Sequence, residues 1–466
     1  MSDTLMISVS GMRGHVGKDL TPELVSRYAG ALGAWVRSAQ SVRHHPLRGY
    51  PARPAVVLGR DARTSGPMFS RAAAAGLMSV GVDVIDLGIV PTPTVQLAVE
   101  HHRAGAGLII TASHNPIEWN ALKFVGPDGI FLDADAGRAV RDLAEKGFPR
   151  AGWADVGEIR EDPGAITRHL DAILALSLID GNAIRKRRFR VALDCVRGAG
   201  ATALVPLLER LGCQIHGINL EADGRFPRPP EPVPENLGEL SRLVRETRAD
   251  IGLAVDPDAD RLALVDETGC PIGEDYTLAF AVMAVLDGRL TAATTPTVVA
   301  NLSTSLVVED AARSRGARFV RAPVGEANVA RAIRDEGALI GGEGNGGVML
   351  PELHIGRDAL LGVALILHLL AASGVTPSRL VSAAPRYTIV KAKGPRGPNL
   401  QQLYDRLRQR FPDAAADERD GLRLAWRDRW LHVRPSGTEP IVRLIAEAPT
   451  AADAEALVAT GRELLY

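Results

Sequence analysis

Thr111-Ala-Ser-His-Asn-Pro116 follows the apolar run Gly107-Leu-Ile-Ile110, which reads as a buried strand. A strand that stops at a serine, with a proline three residues later, presents that hydroxyl on a turn. A hydroxyl so placed can act as a covalent carrier. Much further along, Asp256-Pro-Asp-Ala-Asp260 sets carboxylates at i, i+2 and i+4. In an extended or turning segment all three fall on one side, and Pro257 with the strand before it argues against a helix. Three unpaired carboxylates this close repel one another, and a divalent cation is the simplest resolution. All-oxygen ligation favours Mg²⁺ over Zn²⁺. The competing reading is an acidic surface turn. An EF-hand loop is excluded, because it needs glycine and glutamate later in the loop, whereas Arg261 leads here into the strand-like Leu262-Ala-Leu-Val265.

Two more loops carry binding chemistry. Arg434-Pro-Ser-Gly-Thr-Glu-Pro440 joins two strand-like runs, with Arg443 close behind. Arginine, the hydroxyls of Ser436 and Thr438, and backbone amides made accessible by Gly437 form a cradle for a phosphate dianion. A solvated hairpin is the alternative. Gly341-Gly-Glu-Gly-Asn-Gly-Gly347 has neither the Walker ending nor a dinucleotide fingerprint. Its glycines let the backbone approach a ligand closely, and Glu343 and Asn345 suit sugar hydroxyls. A flexible turn is the alternative there. Ser10-Gly-Met-Arg-Gly14 and Gly59-Arg-Asp-Ala-Arg63 follow strand ends, the side on which α/β sheets build their sites.

The elements that must hold these loops alternate between strand and helix. Ala55–Leu58 and Val82–Leu87 read as strands, with a turn at Pro91-Thr-Pro93. Arg190–Asp194, Asp250–Val255, Thr297–Ala300 and Ala338–Ile340 repeat the pattern, which implies mostly parallel sheets covered by helices. Ala39–Pro54 reads as an exposed loop, and the proline-rich Phe226–Pro234 as an extended one. The last 80 or so residues change character, with strands expected at Tyr387–Lys393, Leu422–Trp426, Trp430–Arg434 and Ile441–Glu447 and helices at Asn399–Phe411 and Ala451–Leu465. The fold expected is three related α/β domains with mixed, mostly parallel sheets, followed by an α+β domain with an antiparallel sheet. The boundaries drawn are 1–155, 156–266, 267–380 and 381–466.

Bulk properties narrow the partners. A chain of 466 residues with 46% apolar and 23% charged residues is globular, and its net charge of −1 gives nucleic acid or an anionic membrane no reason to bind. The uncharged run Ala359–Val375 is shorter than a membrane span and reads as a buried helix. Three cysteines without CxxC spacing, and an N-terminus without a basic and apolar leader pattern, suggest a reducing cytoplasm. Only six of the 54 basic residues are lysine. Lys123, ten residues after Ser113, is one of them, and lysine releases a proton far more readily than arginine.

Taken together, the four motifs and their order resemble the α-D-phosphohexomutase family along nearly the whole chain. The resemblance implies four domains around a central cleft, and an isomerase that interconverts hexose 6-phosphates and 1-phosphates. It implies a phosphoserine at Ser113, one Mg²⁺ bound by Asp256, Asp258, Asp260 and the Ser113 phosphate, and a hexose 1,6-bisphosphate as intermediate. Glu343 and Asn345 fall at the sugar-recognition positions. Arg434, Ser436, Gly437, Thr438 and Arg443 fall at the phosphate site. Arg261 adjoins the metal loop. Arg13 and Lys123 match positions with acid/base or electrostatic roles, and His114 joins them as a catalytic candidate. The partner implied is a small sugar phosphate, for a monomer or homodimer. A phosphatase, a bisphosphate synthase or a non-catalytic sensor would use the same scaffold.

Many members carry histidine where this chain has Gly347, and glycine where it has Ala121. Both departures resemble a branch assigned to phosphoglucosamine mutases, with phosphomannomutase and phosphoglucomutase as alternatives. Without a side chain at 347, Lys123 first and His354 second are expected to move the proton.

Overall fold

Ala55–Arg60, Ala106–Ile110 and Ile251–Val255 are buried along nearly their whole length, so each must be covered on both faces. The computed structural model describes residues 5–8, 11–42, 53–288, 295–396, 399–436 and 441–465. Its first sheet has seven strands in the order Met6–Ser8, Gly11–His15, Trp119–Val125, Ala106–Ile110, Ala55–Arg60, Asp83–Ile89 and Ile159–Glu161. The centre is parallel. Trp119–Val125 then returns antiparallel beside Ala106–Ile110 and pairs with Gly11–His15. Arg13 and Lys123 therefore sit within strands of one sheet: Arg13 comes after the end of Met6–Ser8, as expected, but is itself part of the next strand.

The second and third units repeat this plan on a smaller scale. Arg190–Asp194, Gln214–Ile218 and Ile251–Val255 are parallel, and Leu262–Val265 returns antiparallel. Thr297–Asn301, Arg318–Ala322 and Ile340–Glu343 are parallel, and Gly347–Met349 returns antiparallel. In all three units the loop with the chemistry is the connection into that antiparallel return. The fourth unit is a five-stranded antiparallel sheet, with helices Leu400–Arg410 and Ala451–Glu463.

Several expectations need correction. Pro91-Thr-Pro93 is not a free turn but the start of the helix Thr92–His101, where proline's fixed φ and missing N–H do no harm. The helix Pro22–Val42 runs through Ala39–Val42, so the expected loop begins later, and residues 43–52 lie outside the described residues. The strand expected at Ala338–Ile340 is Ile340–Glu343 and runs into the glycines. Ala415–Asp417 is an edge strand missing from the sequence reading. Ile159–Glu161 joins the first sheet from beyond residue 155, and the helix Pro377–Ala383 straddles residue 380.

Ala359–Ser373 is the expected buried helix. Among the described residues, no single helix is long and apolar enough to cross a membrane. The three cysteines are free.

The fourth unit docks on the third through buried polar groups. Glu447 is fully buried and accepts from Ser305 Oγ, from Leu306 N at 2.8 Å and from Trp430 Nε1 at 2.6 Å. Ser303 Oγ lies 2.8 Å from His432 Nδ1. Removing an acceptor costs about 1–3 kcal/mol for each buried donor left unpaired. Glu447→Ala should therefore lower the thermal unfolding midpoint. It should also raise KM for a sugar phosphate, because the Arg434 hairpin belongs to this sheet. An unchanged midpoint would show that the docking does not depend on Glu447.

Candidate active site

Ser113 is not displayed on an open turn: it is 3% exposed, in the left-handed region at φ 48°. One buried guanidinium explains the loop's shape. Arg63 Nη2 donates to Ser113 O at 2.7 Å and Asn115 O at 2.6 Å, and its Nη1 donates to Pro116 O at 2.7 Å and Trp119 O at 2.9 Å. Asp61 orients Arg63, accepting from its Nε at 3.1 Å and its backbone N at 2.9 Å. Asp61 also accepts from Thr111 Oγ1 at 2.7 Å, and that hydroxyl accepts from Ser113 N at 2.9 Å. Burial raises the Asp61 pKa and Arg63 opposes it. Ser113 Oγ is left to donate to Asp256 Oδ2 at 2.6 Å.

That bond joins the serine loop to the aspartates. Asp256, Asp258 and Asp260 are fully buried, and their ligand atoms lie within 4.8 Å of one another. This overturns the alternative of an acidic surface turn. Asp258 Oδ2 accepts from Lys123 Nζ at 2.7 Å and Thr92 Oγ1 at 2.7 Å, both from the first unit. Asp260 Oδ2 accepts from Arg357 Nη2 at 2.6 Å, from the third. Asp258 Oδ1 and Asp260 Oδ1 are buried without a hydrogen-bond partner, and the nearest cation to the latter is Arg261 Nε at 3.8 Å. Burial, then repulsion from Asp260 and Asp258, pushes Asp256 well above the usual carboxylate range. At Asp258 burial is outweighed by Lys123, and the pKa falls. Hard oxygen donors, two of them orphaned, fit a divalent cation.

A cleft of about 680 Å³, lined from all four units, lies next to the aspartates and is walled by Ser113, Lys123, Arg261 and Arg357, which touch them. Arg13, Ser113, His114 and Lys123 come from the first unit, and Arg261 from the second. Arg13 Nη1 donates to Asn115 Oδ1 at 2.6 Å. Arg261, then burial and Arg13, holds His114 well below the usual histidine pKa, so it is neutral at pH 7. Its Nδ1 lies 3.4 Å from Ser113 Oγ. Burial resists the charge on Lys123, yet Asp258 and Asp260 outweigh it and raise the pKa.

The third unit brings Glu343 and Asn345 to the cleft. Glu343 is buried and accepts from Asn301 Nδ2 at 2.9 Å, Gly325 N at 3.1 Å and Arg357 Nη1 at 2.9 Å. Burial opposes its ionisation, while Arg357 and Asn301 win and lower its pKa. Asn345 Oδ1 is buried without a partner. The glycine segment is thus a β-hairpin and not a flexible turn. Arg434 and Arg443 pair across adjacent strands of the fourth unit, and both line the cleft. Ser436 is buried beside them in the chain. Gly437 and Thr438 lie outside the described residues.

His354 is the exception. It is 3% exposed and does not line the cleft. Its Nε2 lies 3.1 Å from Asp358 Oδ2, which also meets His169 Nε2 at 2.8 Å. Asp358 caps the helix Ala359–Ser373 with its other oxygen, so His354 is held in a buried polar knot between units and is not aimed at a substrate. Its assignment as a proton carrier is withdrawn. Sequence reasoning also passed over Arg357, Asn301 and Glu326, all in the cleft wall. Arg357 stands three residues after His354 in the sequence, but nothing in its spacing reveals three carboxylate partners.

Four family models match the chain in succession. Phosphoglucomutase/phosphomannomutase alpha/beta/alpha domain I covers residues 5–150, domain II 167–269, domain III 274–387 and the C-terminal domain 391–463. The chain is 38% identical to a phosphoglucomutase/phosphomannomutase of Thermococcus kodakarensis, across 98% of this chain and 97% of that one. It is 36% identical to a probable phosphoglucosamine mutase of Methanopyrus kandleri, across 94% and 93%. A phosphoglucomutase/phosphomannomutase family protein from Burkholderia thailandensis superposes with a TM-score of 0.84 at 27% identity, covering 99% and 98% of the two chains. With all four domains matched in order, the chain belongs to the phosphoglucomutase/phosphomannomutase family and is a phosphohexomutase, an isomerase.

Proposed function

We propose that this phosphohexomutase works through a phosphoryl group carried on Ser113 and prefers glucosamine 6-phosphate, which it converts to glucosamine 1-phosphate. The observation that carries the first part is the bond of 2.6 Å to buried Asp256 from the Oγ of Ser113, which lines one cleft with Arg434 and Arg443. The second part rests on Gly347 and Ala121 and on relatives named probable phosphoglucosamine mutase. Phosphomannomutase or phosphoglucomutase is the alternative, after the relative from Thermococcus kodakarensis.

In this reading Asp256, Asp258, Asp260 and the Ser113 phosphate would hold Mg²⁺, which would draw charge from the phosphoryl oxygens. Arg261 and Lys123 offset the rest of the phosphoserine charge. Arg434, Ser436, Thr438 and Arg443 hold the phosphate that is not reacting, and Glu343 and Asn345 take the sugar hydroxyls. The free sugar hydroxyl bonds to phosphorus as the bond from phosphorus to Ser113 Oγ breaks. The hydroxyl's proton leaves to a base in the cleft, Ser113 Oγ takes up one proton in exchange, and a sugar bisphosphate results. The bisphosphate then turns over and returns its other phosphoryl group to Ser113, with the proton movement reversed. Transfer of this kind depends mainly on positioning and charge stabilisation.

Lys123, kept protonated by Asp258 and Asp260, is the group we assign to donate the proton that Ser113 Oγ takes up as it leaves phosphorus. Its ammonium lies 2.7 Å from Asp258, two residues from the carboxylate that holds Ser113 Oγ. Arg13 stays a fixed charge, because a guanidinium does not release its proton at working pH. His114, neutral and near Ser113, is the second candidate.

Ser113→Ala should keep sugar-phosphate binding and lose nearly all turnover. Near-normal interconversion in that variant would remove Ser113 as the carrier. Lys123→Arg keeps the charge but not the exchangeable proton, so kcat should fall about 10²- to 10⁴-fold with KM little changed. Wild-type kcat there would pass the proton to His114 or to water. Comparing kcat/KM for glucosamine, glucose and mannose 6-phosphates should rank glucosamine first. A preference for either other sugar would overturn the specificity and leave the carrier untouched.

A further inference from the structure

Position 347 has no side chain because another residue fills its place. A Cβ on Gly347 would lie 2.3 Å from Cδ and 2.7 Å from Cγ of Arg357. Backbone freedom is not the reason for glycine, since Gly347 pairs with Glu343 as ordinary strand and has no positive φ. The constraint is space. The loop that brings Arg357 there is fixed by Asp358, which caps the next helix through Leu360 N at 2.9 Å and Leu361 N at 3.1 Å.

From that slot the guanidinium reaches three carboxylates on three segments. Nη2 donates to Asp260 Oδ2 at 2.6 Å, Nη1 to Glu343 Oε2 at 2.9 Å and Nε to Glu326 Oε2 at 3.0 Å. Glu326 in turn accepts from Gln96 Nε2 of the first unit at 3.3 Å. A planar fork can hold several carboxylates at once in fixed directions, and a single ammonium on a flexible stem cannot. Burial works against the charge of Arg357, but the carboxylates outweigh it and the group stays cationic.

We propose that Arg357 is a positioning residue that ties the aspartate loop at Asp260 to the sugar loop at Glu343, and that Gly347 and Arg357 are a matched pair, the glycine giving up the volume the arginine stem requires. Holding one oxygen of Asp260 leaves Asp260 Oδ1 without a hydrogen-bond partner. Holding one oxygen of Glu343 sets the angle at which the other meets its neighbours. The inference rests on the proposed function in that Asp260 is read as a metal ligand and Glu343 as a sugar contact.

The test compares the wild type with Gly347→Ala, Arg357→Ala and the double variant, and Arg357→Lys with and without Gly347→Ala. Three quantities are measured: kcat and KM with glucosamine 6-phosphate, Mg²⁺ affinity by calorimetry without sugar, and the thermal unfolding midpoint. Gly347→Ala and Arg357→Ala should each weaken Mg²⁺ binding or turnover about 10- to 100-fold, as expected for groups that orient a metal ligand. The double variant should be no worse than Arg357→Ala, because no stem is left for the new methyl to displace.

Arg357→Lys keeps the charge and most of the stem but loses the fork. It should still weaken Mg²⁺ binding, and adding Gly347→Ala to it should remain costly. Losses that multiply in the Arg357→Ala double variant would overturn the pair. Wild-type Mg²⁺ affinity and kinetics in Arg357→Ala would overturn the positioning role. If Arg357→Ala does not fold, the Arg357→Lys comparison decides: a harmless Gly347→Ala in that background overturns the pair, and unchanged Mg²⁺ binding overturns the positioning role. A wild type that interconverts no hexose phosphate would sink the proposed function, while the calorimetric and thermal comparisons would still decide the pair.

Discussion

Three fully buried carboxylates within 4.8 Å of one another are the constraint around which the molecule is arranged. Removing even one such charge from water is costly unless it is paired. The partners here arrive from different units. Lys123 comes from the first, Arg357 from the third, and Arg261 adjoins the loop within the second. Asp256, held well above the usual carboxylate range by burial, receives the Ser113 hydroxyl instead of a cation. The relative placement of three domains is thus written into the charge balance of one five-residue loop. A shift of any domain would leave part of that loop unpaired.

The repeated sheet plan explains how distant segments come to one place. In each α/β unit a parallel core ends in an antiparallel return, and the connecting loop projects from the carboxyl end of a buried strand. That end is where open α/β sheets build their sites. The serine, aspartate and glutamate loops are the same structural position used three times with different chemistry. The fourth unit departs from the plan and supplies cations from a hairpin in an antiparallel sheet.

Much of this was legible in the chain. Strand ends followed by unusual residue clusters marked Ser113, Asp256–Asp260 and Glu343, because local periodicity and turn chemistry survive folding. The burial of Ser113 was not legible, and the aspartates still allowed a surface turn as an alternative. Composition alone cannot say that an acidic turn has been roofed by other domains. Arg63 and Arg357 were legible as residues but not as roles, since each works through carbonyls or carboxylates far away in sequence. His354 failed for the opposite reason. Nearness in sequence to the glycine hairpin says nothing about direction, and a helix cap at Asp358 turned it inward. Pro91-Thr-Pro93 was misread because proline breaks helices in their interior but begins them well.

The left-handed backbone at Ser113 restricts which amino acid can stand there before any chemistry is considered. A residue branched at Cβ is a severe outlier at positive φ, whereas an unbranched short one is tolerated. Threonine carries the same hydroxyl and a single codon position separates it from some serine codons, yet its extra methyl is what this backbone penalises. Mutational drift between the two alcohols, neutral at many surface positions, is closed at this one by a torsion angle.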